Sequence, residues 1–410
     1  MDFLYDLGIH AYKAAAQLAS LRSKKVRLML KGQAETFDTL RGKLDPAGGY
    51  IWMHVASLGE FEQGRPLIEM IKKNNPAARI VLSFFSPSGY EVRKNYPLVD
   101  AVVYLPFDTH HNAVEFIDIV KPKVAIFVKY EFWSNYLRTL KKRGVPTYII
   151  SAIFRPSQSF FKPWGGHFRG TLRCFDRLYV QNDESRQLLA GIGMDNVVVC
   201  GDTRFDRVAG VKSAAKQFPI IEQFVKGASF TLVMGSSWQP DEEIVMPYFN
   251  EHPGMKLIIA PHEFDAKRLQ DIMARTGRKT ALYSTSPEDA ASLDCLIIDC
   301  FGLLSSLYQY GQAAYIGGGF GHGIHNINEA AVYGIPVIFG PKHDKFQEAK
   351  DLIECGGGFC INSAEQFGAI MDRLTTDGDH LATAGEIAGD YIETHLGATQ
   401  VIYNQLKELF

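Results

Sequence analysis

Cysteine is scarce and poorly spaced for chemistry. The 410 residues hold six (Cys174, Cys200, Cys295, Cys300, Cys355 and Cys360), with no C-x-x-C pair among them. A disulfide scaffold and a zinc ligand set are both disfavoured, and the six read as small apolar core residues in a reducing compartment. Charge of one sign is also lacking: 43 Lys and Arg against 45 Asp and Glu leave a net charge of −2. A dedicated nucleic-acid binder carries a basic excess, so no nucleic-acid partner is expected. The first residues lack the basic, apolar, small-residue order of a signal peptide. One long uncharged stretch, Phe301 to Asn328, carries seven glycines. It reads as helix, short strand and glycine loop, not as a membrane helix.

The common chemical fingerprints are missing too. Gly317–Gly323 never satisfies G-x-G-x-x-G, and there is no G-x-x-x-x-G-K-[ST], H-E-x-x-H or G-x-S-x-G. This weakens dinucleotide-dependent, P-loop, zinc-protease and hydrolase readings.

What is present is a globular composition, 46% hydrophobic and 21% charged, in a chain long enough for two domains. Leu4, Leu7, Ala11, Ala14, Leu18 and Leu21 recur at steps of three and four, one face of a helix. Arg22, Lys24, Lys25, Arg27 and Lys31 follow, and residues 1–32 carry six basic and two acidic side chains. Such a helix can lie on an anionic membrane surface or pack on its own domain.

From residue 50, short apolar runs alternate with helical stretches such as Gly64–Lys73 and Asn112–Val120. The first series is Ile51–Val55, Ile80–Phe84, Ala101–Leu105, Val124–Val128, Thr147–Ile150, Leu178–Val180 and Val197–Cys200. The second is Phe230–Met234, Lys256–Ile259, Thr280–Tyr283, Cys295–Ile298, Ala313–Ile316 and Pro336–Phe339. Continuous apolar runs fit parallel strands covered on both faces. The charged stretch Asp202–Val225 marks the boundary. The fold class expected is α/β, two Rossmann-like doubly wound domains facing a cleft, with ligands outside the carboxyl ends of the strands.

Six strand-to-helix handovers carry candidate chemistry. After Ile51–Val55 come Ser57, Gly59 and Glu60; Gly59 permits a tight turn, and Glu60 falls in the first turn of a helix as a base or a plain N-terminal residue. After Val124–Val128, Glu131 stands between large aromatics, as a reactive or a salt-bridged carboxylate. Gly201 to Asp206 includes Arg204, which could hold an anion or pair with Asp202 or Asp206. Gly235-Ser236-Ser237 offers N–H groups and hydroxyls to a phosphate, or simply caps a helix. Pro261-His262 follows another strand. Gly317 to Glu329 is a glycine loop followed by Asn326, Ile327, Asn328 and Glu329, where a glutamate can accept ribose hydroxyls and Asn can read a base.

Taken together, these segments resemble the 3-deoxy-D-manno-octulosonic acid (Kdo) transferase family of lipopolysaccharide biosynthesis, in order from about residue 35 to 400. The carriers are His54-Val55-Ala56-Ser57-Leu58-Gly59-Glu60, Glu131-Phe132-Trp133-Ser134-Asn135, Gly201 to Asp206, Gly235-Ser236-Ser237 and Gly323 to Glu329. The Ser-x-Gly-Glu and Asn-x-x-Glu elements are the more specific. The resemblance implies a GT-B glycosyltransferase with an acceptor domain at 33–207 and a donor domain at 208–410, whose last helix can cross back. The amphipathic basic segment at 1–32 precedes them. It implies CMP-Kdo as donor, a lipid A precursor as acceptor, and the cytoplasmic face of the bacterial inner membrane as location. No cofactor or metal is expected. Glu60 falls on the general base, with Glu131 and Arg204 on positions of transition-state support and Ser57 and Gly59 on the acceptor-side loop. Ser236, Ser237, Pro261, His262, Phe301, Gly302, Leu303, Asn326, Ile327, Asn328 and Glu329 fall on donor contacts. The chain departs from the family where His262 replaces Arg, Arg204 replaces Lys, Leu303 replaces Glu, and Ile324 interrupts Gly323 and His325. Another two-domain sugar-nucleotide enzyme (a UDP-sugar transferase or 2-epimerase) and a non-catalytic sugar-nucleotide or lipid-binding protein are the rival readings.

Overall fold

A computed structural model describes residues 2–410, with side chains from Leu4 onward. Two compact units separate: the chain through Arg207 together with Leu396–Phe410, and Val208–His395. The first holds a parallel sheet of β1 Tyr50–Val55, β2 Ile80–Phe84, β3 Ala101–Tyr104, β4 Pro122–Val128, β5 Thr147–Ala152, β6 Arg177–Val180 and β7 Val197–Val199. Its order is β3-β2-β1-β4-β5-β6-β7. The second holds β8 Phe230–Ser237, β9 Met255–Pro261, β10 Thr280–Leu282, β11 Cys295–Ile297, β12 Ala313–Ile316, β13 Val337–Phe339 and β14 Gly358–Cys360, ordered β10-β11-β9-β8-β12-β13-β14. Both units are doubly wound α/β, the fold class the apolar runs imply. Strand β14 is the one the pattern does not announce, being three residues opened by a glycine.

The strands are apolar because helices cover both faces. All six residues of β1 are buried. Its alternation sends Trp52 to one core with Phe116, Phe127 and Tyr136, and Ile51, Met53 and Val55 to the other with Phe61 and Ile68. Ile402 and Leu406 of the returning C-terminal helix, Ala398–Leu406, complete that second core, a burial worth roughly 1.5–3 kcal/mol per side chain. Asp206 fixes the helix start by accepting from the Gly397 and Thr399 backbone N–H groups, both at 2.7 Å.

Two expectations are corrected, and of the two readings of the leucine face one is dropped. The segment 1–32 is not one helix but two, α1 Asp2–Ser20 and α2 Lys24–Ala34; Met1 lies outside the described residues. Ser23 is extended, and its Oγ accepts from Val26 N at 3.3 Å, so it starts a new helix instead of continuing the old one. The leucine face does not pack on its own unit: Leu4, Leu7, Leu18 and Leu21 are 56–74% exposed, while Ile9 and Ala16 on the opposite stripe are buried. The cysteines are all free, but only Cys174 and Cys295 are buried; Cys355 is exposed and the others are half-buried.

Candidate active site

In the first unit, β1 and β4 are neighbours whose chains continue to opposite sides of the sheet. The crevice at their carboxyl ends is the natural ligand position in such a sheet. β1 delivers Ser57 and Glu60, and β4 delivers Tyr130, Glu131 and Trp133. Glu60 lies in the first turn of helix Leu58–Asn74, where the helix dipole favours a carboxylate. The Ser57 hydroxyl donates to Glu60 Oε2. The tight turn expected at Gly59 is absent. Gly59 sits inside the first helical turn without a positive φ, with room for a Cβ 3.7 Å from Ser57 Oγ. The chain turns instead at extended Ser57.

Glu131 is buried, and its Oε2 takes Trp133 Nε1 at 2.5 Å and His54 Nε2 at 2.9 Å. His54 Nδ1 lies 2.9 Å from Ser83 Oγ, which also accepts from Trp52 Nε1 at 2.8 Å. With His54 donating from Nε2 to Glu131, Nδ1 accepts from the Ser83 hydroxyl, whose oxygen accepts from the Trp52 indole N–H. Glu131 is therefore a positioned acceptor at the end of a chain that runs Trp52, Ser83, His54. The sequence showed His54 only as part of a motif; a polar residue inside an otherwise apolar strand was the available signal.

Arg204 opens helix Thr203–Ser213 and pairs with Asp202. Its Nε donates to Asp202 Oδ2 at 2.8 Å and its backbone N to Oδ1 at 2.9 Å. Gln63, one turn along the helix from Glu60, donates to the same carboxylate at 3.0 Å. Burial raises the Tyr130 hydroxyl above its ordinary value, Arg155 and Arg204 hold it down, and Glu60 pushes it up. Glu60, Arg204 and Arg155 thus act on one tyrosine. Tyr130 and Arg155 are members of this site that the sequence did not single out. Lys129, directly after β4, and Ser151 in β5 take the left-handed backbone, at φ 68° and 51°. Such outliers in non-glycine residues gather at functional rims.

In the second unit the equivalent switch lies between β8 and β12. Gly235-Ser236-Ser237 is not a turn after the strand but its last part, paired with β9 through a register shift at Ser236, whose φ is 53°. Ser237 is buried and donates to Glu242 Oε1 at 2.8 Å, so its hydroxyl faces inward. Asp241 joins the two rims: its carboxylate accepts from Trp238 N and Gly318 N at 2.9 Å and from the Tyr315 hydroxyl at 3.1 Å. Burial raises the Asp241 carboxyl and these donors oppose it. Glycine at 317 is required because a Cβ there would meet Ser236 O at 2.2 Å.

On this rim Trp238 stacks on exposed His262 at 4.5 Å, and His262 lies 4.7 Å from His325. Trp238 Nε1 donates to His325 Nε2 at 3.3 Å. Burial, then His262, pushes His325 down to about 4, so it is neutral at pH 7. Pro261 is the buried last residue of β9. Phe301 is 84% exposed against Phe264, beside Gly302 at φ 86°, and Leu303 precedes a short helix. Two expected donor contacts need correction: Ile327 and Asn328 are fully buried and support the loop from inside. Asn326 spends its amide on Glu329 Oε1 at 3.1 Å and its Oδ1 on Asn328 N, building the loop. Glu329 remains half-buried at its edge. Among the described residues, no group of three or more His, Cys, Asp or Glu could hold a metal ion.

Residues 23–207 match the family model described as 3-deoxy-D-manno-octulosonic-acid transferase (kdotransferase). Over that segment the chain is similar to the Kdo transferases. It is 28% identical to the 3-deoxy-D-manno-octulosonic acid transferase of Aquifex aeolicus over 357 residues, covering 84% of this chain and 92% of that protein. It is 23% identical to the Haemophilus influenzae 3-deoxy-D-manno-octulosonic acid transferase over 403 residues, covering 95% and 93%. Among solved structures, the UDP-GlcNAc 2-epimerase from Neisseria meningitidis superposes with a TM-score of 0.61 at 13% identity, covering 88% of this chain and 100% of that one. That likeness shows the fold alone, the two-domain GT-B type.

Proposed function

We propose that the protein transfers Kdo from CMP-Kdo to a lipid A precursor with inversion of configuration, at the cytoplasmic face of the inner membrane. The observation that carries the reading is the pair of carboxylates just beyond the carboxyl ends of two adjacent strands. Glu60 is held by Ser57 at the end of β1, and Glu131 is held by His54 and Trp133 at the end of β4. Glu60 is the half-exposed one, suited to take a proton; Glu131 is buried and fully directed, suited to hold a charge in place.

In the step proposed, an acceptor sugar hydroxyl gives its proton to Glu60 as its oxygen bonds the Kdo anomeric carbon. The bond from that carbon to the phosphate oxygen breaks, and its electron pair leaves with CMP. The sugar passes through an oxocarbenium-like state, which Glu131 faces as a fixed carboxylate. Arg204, oriented by Asp202, meets the negative charge that grows on the departing phosphate. None of these roles calls for a metal ion. His262, Phe301, Gly302 and Glu329 supply the accessible donor contacts of the second unit. The outward leucines of α1 and the basic run after it suit a membrane surface. Among the described residues no helix is long and apolar enough to cross a membrane.

The test is mass spectrometry of the product formed from CMP-Kdo and a lipid A precursor, with the anomeric configuration read by NMR. A mass increase of one or more Kdo units with inverted linkage is expected. No Kdo addition by the folded protein would overturn the reading.

A further inference from the structure

The first unit contains a cavity of about 380 Å³ beneath α1, within the range of about 300–1,000 Å³ usual for ligand sites. Its walls are Tyr12, Ala16 and Ala19 of α1, Met29 of α2, and Phe85 and Pro87 after β2. The room arises from the sequence: α1 presents the small side chains of Ala15, Ala16 and Ala19 there. The lining is almost wholly apolar, so the groove suits an apolar ligand.

Two further observations indicate what fills it. Lys25 lines the cavity, within the run Arg22, Lys24, Lys25 and Arg27, and no acidic residue occurs from Leu7 to Ala34. The mouth therefore suits an apolar chain attached to an anionic head group. The inner wall leads to the site already described. The Phe85 ring lies 4.8 Å from that of Trp133, whose Nε1 donates to Glu131. A chain seated in the cavity would hold its head group near the carboxylates.

We propose that this cavity binds one acyl chain of the acylated, phosphorylated sugar acceptor. The inference rests on the reading of the acceptor as a lipid. A bilayer phospholipid gains little by moving a chain from hydrocarbon into an equally apolar slot. The acceptor gains placement of its reacting hydroxyl, because the same molecule also engages Glu60.

The experiment uses the full chain with anionic vesicles carrying either a diazirine-acyl lipid A precursor or a diazirine-acyl phosphatidylglycerol. Adducts are mapped after irradiation, without any need for turnover. Acceptor adducts within 12–29 and 85–87, several-fold above those from phosphatidylglycerol and lost in Ala19→Trp, are expected. Equal labelling by the two lipids, or labelling confined to the outer leucines, would overturn the proposal. Ala19 is exposed, so filling the mouth there leaves the core intact; Ala16→Leu, checked by circular dichroism, is the second variant. In parallel, kcat/KM for the acylated acceptor should fall about tenfold or more in Ala19→Trp, as expected when two or three methylenes lose their place. That for an acyl-free sugar phosphate should stay unchanged. Equal losses on both acceptors would count against the slot. Failure of transfer with correct photolabelling would instead defeat the transferase reading alone.

Discussion

His54 Nε2 lies 2.9 Å from Glu131 Oε2, and both side chains are shut away from solvent. The two residues come from adjacent strands, 77 positions apart in the chain. The contact holds Glu131 from a neighbouring strand, while Trp133 of its own loop donates to the same oxygen.

Replacing His54 by Leu should therefore do two things. It leaves a buried carboxylate short of a donor, and removal of one partner from a buried pair costs about 3 kcal/mol or more. It also frees Glu131 to turn, so kcat should fall while KM for CMP-Kdo changes little. Urea denaturation and steady-state kinetics read the two effects, and His54→Gln should recover part of both. A kcat unchanged in a folded His54→Leu would remove the positioning role.

Glu60→Gln keeps the shape of the side chain and the Ser57 contact but cannot take a proton. Turnover should drop by about 10²-fold or more, the usual share of a general base, while CMP-Kdo still binds by calorimetry. Near-normal turnover would mean that another group is the base.

Two groups, Asp108 buried and His325 half-buried, pull the pH dependence of stability in opposite directions. Burial pushes Asp108, which holds Tyr5 and the start of helix Ser134–Lys142, up from 3.8 to about 6. Its folded value exceeds the unfolded one, so its contribution is complete below about pH 4 and is lost as pH rises through about 6. His325 is depressed from 6.5 to about 4. Its contribution is complete above the unfolded value and is lost as pH falls through about 4. In thermal melts from about pH 4 to 6.5, Asp108→Asn should steepen the gain of stability with pH and His325→Gln should flatten it. Curves parallel to the unmodified protein would show that neither group titrates in this window.

The nucleotide is read most simply by thermal shift. At about 100 times its Kd a ligand adds about 2.7 kcal/mol to the folded state, so CMP should raise the melting temperature by several degrees. A shift with UDP and none with CMP would favour a UDP-sugar enzyme.

Deleting residues 1–32 is a poor membrane test because Tyr5 and Ile9 anchor α1 to the unit. Changing Leu4, Leu7, Leu18 and Leu21 to Ser leaves those anchors alone. Each exposed leucine removed costs about 1.5 kcal/mol or more of apolar transfer, so binding to anionic vesicles should fall by well over tenfold. Unaltered flotation with vesicles would exclude this face as the contact.

Much of this molecule was legible in the amino-acid order. Parallel strands covered on both faces need unbroken apolar runs, so the two doubly wound sheets could be read from Ile51–Val55 through Pro336–Phe339. The rim positions of Glu60 and Glu131 follow from the same runs, since a residue after a strand must stand at its carboxyl end. What a side chain does at that rim depended on partners far away in the chain. Ser237 turns inward because Glu242 waits there. Asn328 is sealed inside the loop, while exposed His262 finds Trp238 and His325. The leucine stripe of α1 faces outward because Tyr5, Ile9 and Ala16 on its other side meet the unit's own core. Periodicity marks an apolar face wherever it points. Only tertiary packing decides whether that face meets protein or is left for a membrane, because burial belongs to the assembled surface and not to the segment.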